Sequence, residues 1–273
     1  MSDEPYVIGA ALRVAQLGAH LDWLFDRHRD LEIQDFFDPA VLDGDWKDRV
    51  QSAKRLLDGF RGRLGVHGPF YGLSLDPVDD LIRAVVQKRL DQGLDICAEL
   101  GATQMVLHSP YSFWDHNNLD DRPGARAARV EDVHRTLDPV VRRAEALGVV
   151  LVIENIEDID PGARRALAES FGAPAIQVSI DTGHAHYAHC SGGAPPVDYF
   201  VRSAGDMLAH VHLQDADGYA DRHWGLGRGT VNWPAFFEAL RGTGATPHLV
   251  LELKDDAEIA SSMRHLQSLG LAT

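Results

Sequence analysis

The segment His210–Trp233, HVHLQDADGYADRHWGLGRGTVNW, places three side chains that ligate divalent cations close together: His212, Asp221 and His223. It opens as an apolar run alternating like a buried strand, turns at Asp-Ala-Asp-Gly, and continues as a glycine-rich loop. A neutral imidazole offers an ion a ring nitrogen and a carboxylate offers an oxygen. An imidazole at a strand end followed nine residues later by an Asp-x-His pair therefore suits metal chemistry. A buried strand histidine also serves as a hydrogen-bonded core residue, and the rest of the chain decides between the two roles.

The elements that must position these groups repeat one theme: a short β-rich run, a polar loop, then an amphipathic helical stretch. The predicted strands are Tyr6–Ala11, Leu31–Phe36, Leu64–His67, Thr103–His108, Val149–Glu154, Ala175–Asp181, Leu208–Leu213 and His248–Leu253. The predicted helices are Asp79–Leu100, closed by Gly101; Ala125–Leu147, closed by Gly148; Asp160–Phe171, with Pro161 in its first turn; Pro234–Arg241; and Ala257–Leu269. Eight strands alternating with helices at a spacing of about 34 residues fit an α/β fold, a single-domain (β/α)8 TIM barrel over residues 1–273. An open doubly wound sheet is the alternative, and no G-x-G-x-x-G follows the first strand to support it.

Barrel active sites lie at the C-terminal ends of the strands. Strand three ends in His67, strand four in His108, strand five in Glu154, and strand six in Asp181 with His184 beyond it. Strand seven ends in His212, with Asp221 and His223 in its loop, and strand eight ends in Glu252. One rim thus receives five imidazoles and four carboxylates. A single such group has an ordinary explanation, a loop salt bridge or a core hydrogen bond. Nine together would each need a separate partner, and unpaired buried charge costs several kcal/mol per group. Shared divalent ions satisfy all of them by one mechanism. A set with no thiolate and several imidazoles leans to Zn²⁺, with Mn²⁺ or Fe²⁺ as alternatives, and nine ligands imply two or three ions.

Composition narrows the function classes. A net charge of −15 opposes nonspecific attraction to nucleic acid or anionic lipid. Two cysteines, Cys97 and Cys190, cannot build a disulfide framework, which makes a cytoplasmic location the expectation. The acidic opening MSDEPYVIGA does not read as a signal peptide, and no run of eighteen apolar residues reads as a membrane span.

The ordered set resembles the endonuclease IV-like, xylose isomerase-like barrel superfamily (AP endonuclease family 2). The likeness runs from His67 to Glu252 through VHGPFYGLSL, AELGATQMVLHSP, IENIED, IDTGHAH, HVHLQD, the DRHWGLGRG loop and VLELK. It implies one of two site types. Sugar isomerases and epimerases of the superfamily hold one ion on positions matching Glu154, Asp181, His212 and Glu252. Endonuclease IV-type enzymes hold three zinc ions, adding positions that match His67, His108, His184, Asp221 and His223. The resemblance then implies one ion on His67, His108 and Glu154, a second on Glu154, Asp181, His212 and Glu252, and a third on His184, Asp221 and His223. The loop QDFFDPAVLDGDWKDRV departs from a DNA-gripping pattern. Its Asp35, Asp38, Asp43, Asp45 and Asp48 outnumber Lys47 and Arg49, so a DNA substrate is not expected.

Two chemistries follow. Clustered ions suit hydrolysis of a phosphate ester by a metal-activated hydroxide, with Glu154 bridging two ions, Glu252 orienting or deprotonating the nucleophile, and Arg222 holding an oxygen of the substrate. A single ion suits a sugar or sugar-phosphate isomerase or epimerase in which Glu154 and Glu252 exchange protons with the substrate. A non-enzymatic binding barrel is a third reading. Phe70, Tyr71, Tyr111, Trp114 and Trp224, with Phe36, Phe37 and Phe113, are expected near the mouth, and some of them would wall a pocket for a ring-bearing small molecule. Arg228 and Lys254 are candidate anion contacts. His186, His189 and His210 read as supporting groups, and Cys190 as a minor metal candidate.

Overall fold

The computed structural model describes residues 5–273; Met1–Glu4, the start of the acidic opening read above, lie outside the described residues. Eight parallel strands pair in sequence order and close on themselves: β1 (Gly9–Leu12), β2 (Leu31–Ile33), β3 (Leu64–His67), β4 (Gln104–His108), β5 (Val150–Glu154), β6 (Ile176–Asp181), β7 (Leu208–Leu213) and β8 (His248–Leu251). The helices around them are α1 (Val14–Asp26), α2 (Pro39–Asp43), α3 (Trp46–Leu56), α4 (Asp80–Leu100), α5 (Phe113–Asn118), α6 (Ala125–Leu147), α7 (Pro161–Ser170), α8 (Thr182–Gly192), α9 (Val197–Ala204), α10 (Trp233–Thr243) and α11 (Ile259–Ser268). The fold is the predicted α/β TIM barrel, not an open sheet. The strands are buried on both faces, which is why they read as Val, Ile and Leu runs with polar residues confined to chosen positions.

The predicted helix ends carry their expected stops. Asp79 caps α4 by accepting the N–H groups of Leu81 and Ile82, and Gly101 closes it at φ +73°. Other boundaries move. The first strand starts at Gly9, with Tyr6 only bridging to Ala272. The second ends at Ile33, because the Asp35 carboxylate accepts the Val14 N–H at 2.7 Å and pairs with Arg49 at 2.7 Å, drawing the chain into a 3-10 turn. The strand predicted to reach Leu253 ends at Leu251. Helices α1, α2, α3, α5, α8 and α9 are additions to the predicted set.

The N-terminal end of the barrel is sealed by paired charges. Arg63 grips Asp30 with two nitrogens at 2.7 and 2.6 Å and donates to the carbonyls of Thr246 and Pro247. Asp30 also accepts the Leu249 N–H at 3.0 Å.

Candidate metal centre

Strand register brings the donors together at the other end. His108 on β4 stands opposite Glu154 on β5, and Asp181 on β6 stands opposite His212 on β7. Glu252 follows β8 directly, its backbone N–H bonded to the Leu213 carbonyl. Asp221 and His223 arrive on the long loop after β7, and His184 on the first turn of α8. The resulting donor groups are His67, His108 and Glu154; Glu154, Asp181, His212 and Glu252; and His184, Asp221 and His223. Within each, one donor atom per residue lies within 4.8 Å of the others.

The hydrogen bonds leave the donors facing one another. His67 Nδ1–H donates to the Gly68 carbonyl, His184 Nδ1–H to that of Asn155, and His223 Nδ1–H to that of Glu252, at 3.1, 3.0 and 3.1 Å. Each ring then presents an Nε2 lone pair to a carboxylate. Those lone pairs meet Glu154 Oε2 at 3.8 Å from His67, and Asp221 Oδ1 at 3.5 Å from His184 and 3.1 Å from His223. His108 Nε2 also lies 3.8 Å from Glu154 Oε2, an oxygen that is buried without a hydrogen-bond partner. Two acceptors this close need a proton or a cation between them. Ligands bound about 2.1 Å from one tetrahedral ion stand about 3.4 Å apart. The residues therefore fit divalent ions, and an N/O set without sulfur admits zinc, manganese or iron.

The charge distribution follows from the crowding. Burial disfavours the charged form of His108, Glu154, Asp181, His184, His212, Asp221 and His223. It pushes His108 down to about 3, against the pull of Glu154. It raises Asp181 to about 6. At His223 the carboxylates of Glu252, Asp221 and Asp181 outweigh burial and lift the imidazole to about 9. His184 and His212 are raised well above the ordinary histidine value for the same reason, while Glu154 and Asp221 are held low by the imidazoles facing them.

Several supporting residues carry no local sequence signal. Gln214 donates to Asp221 Oδ1 at 2.9 Å and to Asp181 Oδ1 at 3.2 Å, and its carbonyl oxygen accepts the His223 N–H at 2.8 Å. It thereby steadies His223 at φ +49°, a left-handed conformation that costs a non-glycine residue on the order of 1 kcal/mol. A Cβ at Gly183 would come within 2.3 Å of the Gln214 side chain, so only glycine fits there. Asp215 folds the glycine-rich loop around its carboxylate, accepting N–H groups from Ala216, Gly227 and Val231 and from the Trp233 indole. Gln34 donates its amide to Glu252. Glu32, buried inside the barrel, reaches both His210 and His212. For Glu32 alone there is a hint in the sequence, a lone glutamate in the apolar run Leu31-Glu32-Ile33.

The predicted substrate contacts divide. A mouth cavity of about 240 Å³ is lined by seven of the nine donors, all but Asp181 and His212, with Gln34, Phe37, Phe70 and Ile156. Phe70 stacks on His108 with ring centroids 4.0 Å apart, and on Phe37 at 5.0 Å. A second chamber of about 220 Å³ shares Phe70, His108 and Ile156 with the first and is walled by Tyr111, Leu75, Leu107 and Ser109. Phe36 is core, and Phe113 packs on Tyr187. Tyr71 and Trp114 are largely exposed and line neither chamber.

The cationic contacts expected at the mouth are engaged elsewhere. Arg222 is held by Asp217 at 2.8 Å and lies over the Tyr219 and Trp224 rings. Arg228 pairs with Glu258 and also lies over Trp224, so that ring is covered by guanidinium groups and does not wall the cavity. Lys254 is exposed, and its backbone N–H, not its amine, meets His223. Among the described residues lining the mouth cavity there is no Lys or Arg. His186 bonds to Thr230 and His189 to the Ala194 carbonyl, and Cys190 belongs to none of the donor groups.

A family model described as a xylose isomerase-like TIM barrel matches residues 29–269. A solved structure of the TTHB071 protein from Thermus thermophilus, soaked with ZnCl2, is 30% identical with a TM-score of 0.72, covering 97% of this chain and 98% of that one. The probable endonuclease 4 of Mycobacterium leprae is 29% identical over 184 residues, 66% of this chain and 69% of the relative. The ketose 3-epimerase of Arthrobacter globiformis is 25% identical over 189 residues, 66% of this chain and 59% of the relative. Solved sugar epimerases and epimerase-like proteins also share the shape, with TM-scores of 0.66 to 0.77 at 19–20% identity, a likeness that shows the fold alone. Among the described residues no helix is long and apolar enough to cross a membrane.

Proposed function

The chain belongs to the xylose isomerase-like TIM barrel family, and on that premise we propose that it is a metal-dependent hydrolase of small phosphoesters, with two or three zinc ions. The observation that carries this reading is Glu154. Its Oε1 faces His212 at 2.9 Å, while its buried, unpartnered Oε2 faces His67 and His108. One carboxylate thus serves two donor groups, and a third group stands beside them on His184, Asp221 and His223. An isomerase needs only the central four residues.

Ions of this kind, when bound, lower the pKa of water to about 7 and neutralise charge on a phosphoryl oxygen. His67 and His108 would hold one ion with Glu154, which would be shared with Asp181, His212 and Glu252 around a second. Gln34 fixes one oxygen of Glu252 and leaves Oε2, 3.5 Å from His223 Nδ1, as the group that orients or accepts a proton. Phe37 and Phe70 keep bulk water from the donors. With no Lys or Arg lining the cavity among the described residues, a phosphoryl group would depend on the ions and imidazoles for its counter-charge. Arg222, expected from sequence to help, has no part in this reading.

The size of the two chambers supports a small substrate, its ring or alkyl group beside Tyr111 and Leu107. The acidic loop after β2 is a weaker argument against DNA than its sequence implied. Asp35 is buried, Asp35 and Asp45 pair with Arg49, Asp43 pairs with Arg89, and Asp38 caps α2.

The second reading, a one-ion sugar or sugar-phosphate isomerase or epimerase, has specific support of its own. The relatives and shape neighbours with a named activity are more often epimerases than endonucleases, and Glu154 and Glu252 flank the central group as an acid/base pair would. Zinc-reconstituted protein assayed against phosphate mono- and diesters beside ketoses and their phosphates separates the two. Ester hydrolysis is expected; ketose epimerisation without hydrolysis would replace the first reading with the second.

A further inference from the structure

Below the mouth lies a charge that none of the donor groups just assigned to ions requires. Glu32 is 2% exposed, on a strand whose neighbours are Leu31 and Ile33. Its Oε1 lies 3.0 Å from His212 Nε2, and its Oε2 lies 3.1 Å from His210 Nε2. His210 Nδ1 in turn meets the Ser179 hydroxyl at 2.8 Å. The other nitrogen of His212, Nδ1, faces Glu154 at 2.9 Å and Glu252 at 3.4 Å.

We infer that Glu32 is a positioning residue that fixes His212 as an Nδ1 ligand by accepting its Nε2–H, with the His210 ring packed beside the same carboxylate from below. The inference rests on the reading that His212 holds a divalent ion. His212 differs from the other imidazoles of the site. His67, His184 and His223 tie Nδ1 to backbone carbonyls and present Nε2. His212 has the opposite arrangement, with a carboxylate at each nitrogen.

A neutral imidazole that offers Nδ1 to an ion carries its proton on Nε2, and that proton needs a buried acceptor. Glu32 is the carboxylate placed there. An ion between Glu32 and the two imidazoles would require Nε2 of His212 as a lone pair, which a neutral ring ligating through Nδ1 cannot supply. The remaining contacts are consistent with this. The Ser179 hydroxyl and His210 Nδ1 share a hydrogen bond at 2.8 Å, and His210 Nε2 lies 3.1 Å from Glu32 Oε2 without hydrogen-bond geometry. Glu32 Oε1 therefore takes the His212 proton, with the His210 ring beside Oε2. A carboxylate placed in this way orients the ring and raises the basicity of the ligand above it.

The test titrates chelator-treated wild type, Glu32→Gln and Glu32→Asp with Zn²⁺ against a chromophoric competitor, with ions per chain counted by mass spectrometry and folding followed by circular dichroism. Glu32→Gln is expected to weaken the site that contains His212 by about 10–100-fold, with Glu32→Asp recovering part of the loss. Nitrogen-15 NMR of zinc-loaded wild type, which needs no variant to fold, is expected to show His212 protonated at Nε2 and not at Nδ1. If wild type takes up no ion, the proposed function fails and this inference with it. If wild type binds and Glu32→Gln matches its affinity, or if His212 carries its proton on Nδ1, this inference alone is overturned.

Discussion

The two ends of this barrel treat buried charge in opposite ways. At the N-terminal end, charges meet their partners: Asp30 is gripped by Arg63 and takes the Leu249 N–H, and Arg29 donates to the carbonyls of Ile8 and Thr273. At the C-terminal end, carboxylates face imidazoles that need a proton or a cation between them. Glu154 Oε2 has no partner, imidazole nitrogens point at carboxylates, and no Lys or Arg lines the cavity among the described residues. The same interior that satisfies Asp30 with a guanidinium leaves Glu154 Oε2 without a partner. Paired charge is the pattern of stability and unpaired charge that of a site, which is the usual division of labour between the two ends of this fold.

Substitution at the two ends should separate these roles. Glu154→Gln is expected to lower ester hydrolysis by about three orders of magnitude or more and to remove the ions it shares. Asp30→Ala should do the reverse, costing on the order of 2–3 kcal/mol of stability with the metal content of the folded fraction unchanged. Loss of ions in Asp30→Ala, or full retention in Glu154→Gln, would break the contrast.

His223→Ala reaches the third donor group alone. It should remove one ion and most hydrolytic activity while the central group keeps its own. Unchanged metal content and hydrolysis in that variant count against the three-ion reading.

The pH dependence sharpens the comparison further. His223 sits at about 9 in the folded chain against an ordinary 6.5, so its contribution to stability is fully present below 6.5 and is lost as pH rises through 9. Asp181, raised to about 6, acts in the same direction at lower pH. The groups held low, Glu154 and Asp221, contribute stability that is lost only as pH falls below the ordinary carboxylate range. Chelator-treated protein should therefore lose about 3 kcal/mol between about pH 6.5 and 9.5 from His223 alone. Saturating Zn²⁺ should reverse the trend, because ligation needs deprotonated imidazoles. Denaturant melts at the two pH values check both statements. The smallest effect is expected at Arg222. Its guanidinium is committed to Asp217, so Arg222→Ala should change turnover by less than about threefold.

The fold was legible because apolar runs of strand length recur along the chain between amphipathic stretches, several of them closed by a glycine such as Gly101 or Gly148. The clustering of the nine candidate donors was legible because they stand last on their strands or in the loop just beyond. The supporting groups were not. Glu32 and Gln214 act through contacts with residues 180 and 7 positions away; the lone glutamate between Leu31 and Ile33 hints at a role, but no local pattern names either partner. The aromatic wall was overdrawn for a similar reason: proximity in sequence to a strand end placed Trp114, Tyr71 and Trp224 near the mouth, but only packing decides which way a ring turns. Arg222 stands between the donors Asp221 and His223, yet successive loop residues point apart, and Asp217 five positions back holds its guanidinium.

The number of divalent ions held per chain is the most direct measure of whether the unpaired end of the barrel is a multi-ion site. Mass spectrometry of native protein purified without added metal should find two or three ions, with zinc foremost. A single ion per chain, retained after His67→Ala and His223→Ala, would contradict the hydrolase reading and leave the central four residues as the site of an isomerase.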